Sequence, residues 1–303
     1  MSNNRFKVQV AFLAALLTGL ILFVVVVHQK AELSVQPTHR APEVVAHETT
    51  TFVEDVETYE IPSAKELERL SSTDQMNIYW TYINRLQVLC KDVIRVGSLK
   101  DGGKEICVDK PYKPKAPCVV YSFGINYQFD FDYATVDLFG CDVYAFDPSM
   151  NRSTSRITEH IKFYKWGLGG EDTVNNYGWP IKTLSSIRKE LGHTDKPIDL
   201  LKIDIEGDEW HAIPQMIASG ALDDVKQISM ETHFLSERPS SPKNWGSIPL
   251  PGHLQLSALR QLYDAGYRIF MRERNMWSHQ QWPSIRGFIT NVNEISLIRP
   301  VKK

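Results

Sequence analysis

Three places in this 303-residue chain carry residue types and spacings suited to chemistry. The densest is Lys202-Ile203-Asp204-Ile205-Glu206-Gly207-Asp208-Glu209-Trp210, an apolar run that breaks into four carboxylates. In extended backbone, Asp204 and Glu206 point to one side, at period two. Asp208 and Glu209 have a plainer use in the first turn of a following helix, where negative charge complements the dipole. Glu231 and His233 repeat the i, i+2 relation at the end of VKQISMETH. An imidazole titrates near neutrality, so His233 is the candidate base of an acid/base group with Asp204, Glu206 and Glu231. Its alternative is a hydrogen-bonded structural histidine. The second place is Asp147, closing DVYAFD. An acidic side chain at a strand's carboxyl end can accept both hydroxyls of a ribose, and equally can open a turn. The third is Ser122-Phe123-Gly124-Ile125-Asn126, where a glycine lets the backbone approach a ligand closely. It is not G-x-G-x-x-G, so a dinucleotide pyrophosphate cradle is not indicated.

The elements that must position these groups alternate. Short β-branched or aromatic runs lie at 118–123, 142–147, 161–166, 198–205, 225–232, 267–273 and 294–300. Helical stretches, ended by Gly192, Gly220 and Gly266, lie at 184–191, 214–219 and 254–265, and a mixed segment at 129–139. Such alternation predicts an α/β fold with a mostly parallel sheet covered on both faces. Ligands then bind at the carboxyl ends of the strands, near the topological switch point.

Lys and Arg number 34 against 36 Asp and Glu, a net charge of −2. That balance speaks against a nucleic-acid partner held by phosphate contacts. Residues 8–27 carry no charge. About 20 apolar residues span a hydrocarbon core of roughly 30 Å, so membrane lipid is an expected partner. No A-x-A cleavage pattern follows. Arg5 and Lys7 ahead of the run favour a cytoplasmic N-terminus, hence a single-pass type II protein with a luminal domain in the Golgi or ER. Four cysteines (Cys90, Cys107, Cys118, Cys141) and the sequon Asn151-Arg152-Ser153 suit that compartment and a glycoprotein, with the disulfide pairing left open. The expected organisation is a tail at 1–7, a transmembrane helix at 8–27, a stem at 28–62, a helical extension at 63–117 opened by a capping box at Ser63 and Glu66, and a catalytic domain at 118–303.

YSFGIN, YAFDPS, the WGLGG stretch, IKTLSSI, and DLLKIDIEGDEW followed by ISMETH resemble, in that order, the FkbM-type methyltransferases. Behind an N-terminal apolar run, YSFGI…VYAFDPSM is similar to the methyltransferase-like 24 group. The resemblance covers residues 118–233. It implies a class I, Rossmann-like methyltransferase fold with a seven-stranded sheet and S-adenosylmethionine as cofactor. Gly124 matches the glycine of the first loop, with Ser122, Phe123 and Asn126 at the methionine end. Asp147 matches the ribose ligand, and Trp166, Gly167 and Leu168 lie where the adenine packs. Asp204 matches the aspartate of the D-x-E-G signature near the sulfonium, with Glu206 as its second carboxylate; no metal is implied. Ser122 departs from the family, which has an Asp there; a hydroxyl lacks the charge-assisted hydrogen bond.

The strand-tip group predicts O-methylation of a hydroxyl acceptor, with a glycan suggested by the compartment. Trp245, Trp277 and Trp282 either wall the acceptor site or pack in the core. Two rival functions remain. One is a methyltransferase-fold protein that binds without turnover. The other is a type II Golgi glycosyltransferase using Asp130-Phe131-Asp132 as a D-x-D pair, although that pair reads as the opening of a helix.

Overall fold

The computed structural model describes residues 60–150, 159–235, 250–282 and 285–300. All belong to one compact unit, Thr50–Lys303. Residues 8–27, the stem up to residue 59, Asn151 and Trp245 lie outside the described residues. Among the described residues no helix is long and apolar enough to cross a membrane.

Glu66 accepts from the Ser63 amide (2.9 Å) and hydroxyl (2.6 Å), opening the single turn α1 (Ala64–Leu67). Helix α2 (Ser72–Ile83) follows. The rest of the expected helical extension holds no further helix, and its regular structure is one short hairpin. β1 (Val93–Val96) and β2 (Lys104–Cys107) pair antiparallel on either side of an Asp101-Gly102 turn, with β-branched Val93, Ile94, Val96 and Ile106 among their residues. Thereafter the chain runs through β3 (Val119–Phe123), α3 (Asp130–Phe139), β4 (Asp142–Phe146), β5 (Ile161–Tyr164), β6 (Gly167–Leu168), β7 (Thr173–Val174), β8 (Pro180–Lys182), α4 (Leu184–Glu190), β9 (Leu200–Ile203), α5 (Glu209–Ala218), β10 (Gln227–His233), α6 (Gly252–Asp264), β11 (Arg268–Arg274), β12 (His279–Trp282), β13 (Ile285–Thr290) and β14 (Val292–Ile298). The D-x-D residues Asp130 and Asp132 open α3, as their position indicated. Helix α5 begins five residues before the expected start at Pro214, which lies inside it. A proline marks a start only when its missing N–H falls in the first turn.

Seven strands form the central sheet in the order β11-β14-β10-β9-β3-β4-β5. The pairs β3–β4, β4–β5, β3–β9 and β9–β10 are parallel; β14 runs antiparallel to both β10 and β11. One face is covered by α2, α4, α5 and α6, whose Tyr79, Leu184, Trp210, Ile213 and Leu259 join a core with Tyr121, Phe146 and Ile203. On the other face α3 and the β1–β2 hairpin set Phe131, Val96 and Ile106 against Val120, Val143 and Leu200. Burial on both faces explains why β9 and β10 are buried at every position. The cysteines pair as Cys90–Cys107 and Cys118–Cys141. From β3 the chain winds outward through β4 and β5, then returns to β9 on the other side of β3. The switch point therefore lies between the carboxyl ends of β3 and β9.

Candidate functional site

A cavity of about 510 Å³ opens at that switch point, within the usual range of roughly 300–1,000 Å³ for small-molecule sites. Its floor is made by two touching loops. Gly124 follows β3 with φ +76°, and a Cβ there would overlap the carbonyl oxygen of Asp204, which follows β9. Only glycine lets the two strand tips meet. Lys202, buried in β9, ties them from below by donating to the carbonyls of Phe123 (3.2 Å) and Gly124 (2.7 Å).

Asp147, at the end of β4, holds the loop beyond Gly124. Its Oδ2 accepts from the amides of Ile125 (3.0 Å) and Asn126 (2.8 Å). Its Oδ1 accepts from the amide (2.8 Å) and hydroxyl (2.6 Å) of Ser149. A carboxylate has about four acceptor directions, so all are engaged. The turn reading and the ligand reading of Asp147 thus meet in one side chain, because only the Ser149 hydroxyl can rotate away. Asn126 and Tyr127 lie in the left-handed region at φ 43° and 63°, a conformation those two amide contacts help to secure.

Phe123, Gly124, Asn126, Asp147, Trp166, Gly167, Leu168 and Asp204 all line the cavity. Ser122 does not. Side chains alternate along β3, and Ser122 is buried on the α3 face beside Asp132. Burial pushes the Asp132 carboxyl up to about 6, against the pull of Lys202 and Ser122. Trp166 tilts over Tyr164, with ring centroids 4.7 Å apart, and Lys182 Nζ sits 4.8 Å from the Trp166 ring. A Cβ at Gly167 would press on the Ile181 side-chain methyl and on Pro148.

The other end of the cavity gathers the predicted acid/base group: Asp204, Glu206, Glu231 and His233. Glu231 and His233 project from the tip of β10, as their spacing required. Asp204 and Glu206 converge differently from the expected period two. The strand ends at Ile203, and Glu206 takes φ +58°. His233 Nε2 lies 3.3 Å from Glu231 and 3.5 Å from Glu206, while Nδ1 lies 3.1 Å from Glu209. Burial alone would keep this ring neutral, but Glu209 and Glu231 outweigh it and hold His233 well above the ordinary imidazole value. The shift favours the protonated, donating form of a ring whose expected role is that of a base. Partial burial, with Asp204 and Glu231 nearby, raises Glu206 despite His233, making it a stronger base than an ordinary carboxylate.

Several participants were not singled out in the sequence. Glu209 is fully buried rather than a simple dipole partner. It accepts from the His233 amide (2.7 Å) and the Gly207 amide (2.8 Å). Lys104 of β2 is fully buried, 3.6 Å from Asp204 and ion-paired with Glu294 of β14. Burial disfavours ionised Asp204, but Lys104, Lys202 and His233 prevail and hold it at about 2. Burial, together with Asp204 and Glu231, pushes Glu294 up to about 7 against Lys104. Asn275 donates to Glu231 at 3.0 Å. The available signal for Glu294 was a lone charge inside a strand-like run, which does not reveal its partner, and Lys104, beside Glu105, carried no such signal.

Ligand-type atoms of Asp204, Glu206 and His233, and separately of Asp204, Glu231 and Glu294, lie within 4.8 Å of one another. Each set already has a cation beside or within it: the imidazolium in the first, Lys104 against the second. Trp277 stands at the cavity rim, 96% exposed. Trp282 is not part of the wall; its indole donates to Asn77 at 3.1 Å and packs against the core.

A family model described as "Methyltransferase domain" matches residues 50–289. The human "Probable methyltransferase-like protein 24" is 22% identical over 210 residues, covering 62% of this chain and 54% of that protein. Its counterpart from Rattus norvegicus is 24% identical over 225 residues, covering 66% of this chain and 58% of that protein. The chain therefore spans little more than half the length of these curated relatives. Among solved structures, the precorrin-6y C5,15-methyltransferase of Geobacter metallireducens GS-15 gives a TM-score of 0.33 at 11% identity, covering 62% of this chain and 84% of that one. That likeness is too loose to bear on function.

Proposed function

The chain belongs to the methyltransferase-domain family, and from that premise we propose that it is an S-adenosylmethionine-dependent O-methyltransferase acting on a hydroxyl, with a glycan as the favoured acceptor class. One observation carries the reading: a single cavity joins the Gly124 and Asp147 loops to the carboxylates of Asp204, Glu206 and Glu231. The residues fit the cofactor. Gly124 leaves bare backbone at the switch point, Asp147 Oδ1 offers the ribose the place now taken by the Ser149 hydroxyl, and Trp166, Gly167 and Leu168 supply an apolar wall for the adenine.

The bound cofactor supplies an electrophilic methyl group on a sulfonium whose leaving thioether needs no proton. The protein must then align a hydroxyl and take its proton. Glu206 is the base, since its proton affinity is raised above that of an ordinary carboxylate. His233, anchored by Glu209 and Glu231 and raised above the ordinary imidazole value, places positive charge 3.5 Å from the Glu206 carboxylate. Asp204 remains ionised and presents negative charge where the cofactor's cationic end would lie. Asn275, through Glu231, and the exposed face of Trp277 shape the acceptor side, where an apolar sugar face can stack.

The apolar run at 8–27 supports membrane anchoring, and the pairing of all four cysteines supports an oxidising compartment. Calorimetry with S-adenosylmethionine, followed by a screen of hydroxyl, amine and carboxylate acceptors, tests the proposal. Binding with methylation confined to oxygen is expected. Methylation confined to nitrogen, or full activity in Asp204→Asn, rejects it; binding without turnover on any acceptor leaves a non-catalytic binding protein.

A further inference from the structure

Lys104 is the most unusual charge in the molecule. It belongs to a hairpin outside the seven-stranded sheet, ahead of every strand that carries the resemblance, yet its side chain is fully buried behind Asp204, which lines the cavity. An ammonium taken from water without partners would give up its proton. Here Glu294, Asp204 and Glu231 more than offset burial, and Lys104 is held above its ordinary range. Glu294 binds it directly, and Asp204 lies 3.6 Å away.

The hairpin is fastened for this purpose at several independent points. Cys107, at the end of β2, is bonded to Cys90. The Gln227 side chain of β10 accepts from the Cys107 amide (3.0 Å) and donates to its carbonyl (3.0 Å). Ser296 of β14 donates to the Glu105 carbonyl at 2.8 Å. Arg95 of β1 bridges Glu105 (2.5 Å) and Glu273 of β11 (2.6 Å). The hairpin turn itself reaches the cavity, since Asp101 and Gly102 line it. These contacts set the position of Lys104 along β2.

We propose that Lys104 is a positioning residue of the active site: its buried ammonium is the built-in counter-cation that holds the Asp204 carboxylate in place beneath the reacting groups. The role rests on the methyltransferase reading above. The charged and titratable groups facing Asp204 are Lys104 from β2, Lys202 from β9, Glu231 and His233 from β10, Glu294 from β14 and Glu206 from its own loop. Lys202 is already committed to the carbonyls of Phe123 and Gly124, and His233 to Glu209 and Glu231. Among the described residues Lys104 is thus the one of these three cations that forms an ion pair with Asp204, at 3.6 Å.

The test uses the full chain with its disulfides intact and carbon-13-labelled aspartate, the Asp204 signal being identified by its loss in Asp204→Asn. In the native protein that carboxyl should titrate below the ordinary aspartate range. In Lys104→Met it should move up by at least about one unit, a tenfold change in proton affinity, and Lys104→Arg should restore most of the shift. With a methylated acceptor in hand, Lys104→Met should lower kcat about tenfold, most at the acid end, while the KM for S-adenosylmethionine changes less than about threefold. A folded Lys104→Met protein with unchanged Asp204 titration and unchanged kcat would overturn the role. Should that variant fail to fold, the native titration decides, since an Asp204 carboxyl titrating at or above the ordinary value also overturns it. If no acceptor is methylated, the functional proposal fails while the titration still decides this one.

Discussion

Asp147→Asn separates a residue that holds a loop from one that touches only a ligand. The carboxylate accepts four hydrogen bonds: from Ile125 (3.0 Å), Asn126 (2.8 Å), and the amide (2.8 Å) and hydroxyl (2.6 Å) of Ser149. An amide of the same shape has one accepting oxygen and one donating nitrogen. Whichever way it turns, its NH₂ faces a pair of donors, and two of the four bonds are lost. Hydrogen bonds to a charged group contribute about 1.5–3 kcal/mol each. Rewetting of the Ile125 and Asn126 amides recovers part of this, leaving a net loss of about 2–3 kcal/mol. At roughly 2–4 °C per kcal/mol for a domain of this size, Tm should fall by about 5–10 °C. Freed from Asp147, the loop no longer holds Asn126 and Tyr127 at positive φ. Affinity for S-adenosylmethionine should therefore drop at least tenfold, about 1.4 kcal/mol. Ser149→Ala is the control. It removes one hydroxyl contact, should lower Tm by no more than about 4 °C, and leaves the oxygen open to a ribose. Scanning fluorimetry and calorimetry read the two quantities separately. Lost binding with an unchanged Tm in Asp147→Asn would refute the loop-holding account, and no change in either would refute both roles.

Glu206→Gln should abolish the acid limb of the pH–rate profile and lower kcat more than about tenfold, because Glu206 must be ionised to take a proton; a retained limb would return the role to another group. Glu294 titrates at about 7 when folded, above its ordinary value, so the folded state binds the extra proton between the two values. Its stabilisation is present below the ordinary carboxylate value and lost as pH rises through about 7, with the raised His233 acting in the same direction over a higher window. Denaturant titrations should show stability falling over that range, with a shallower fall in Glu294→Gln. Removing the Cys118–Cys141 bridge, which closes a separation of 23 residues, should cost about 3 kcal/mol on chain-entropy grounds, read as a lower denaturation midpoint in the Cys118→Ala, Cys141→Ala double variant.

The central strands were legible because apolar runs bounded by glycine and proline leave few alternatives: 118–123, 142–147 and 225–232 became β3, β4 and β10 with ends shifted by a few residues. The pairing of Glu231 with His233 followed from period two alone. What could not be read was everything decided by contact across the chain. Whether His233 acts as a base depends on Glu209, buried 24 residues earlier. Ser122 and Phe123 are sequence neighbours, yet strand alternation sends one beneath the sheet and the other into the cavity. The hairpin at β1 and β2 was missed because its strands are four residues long and interrupted by the charges of Arg95, Lys104 and Glu105.

The placement of β14 has a consequence for how the protein is made. It sits between β10 and β11, and both are synthesised before it. Until residues 292–298 emerge, those two strands face each other across a vacant slot, and Glu294 is not there to neutralise Lys104. A nascent chain delivered N-terminus first can therefore form the β3–β4–β5 half and its disulfide early, but closes the catalytic half only when this late strand slides in. A chain cut between β11 and β14 should expose the facing edges of β10 and β11 and leave Lys104 without Glu294.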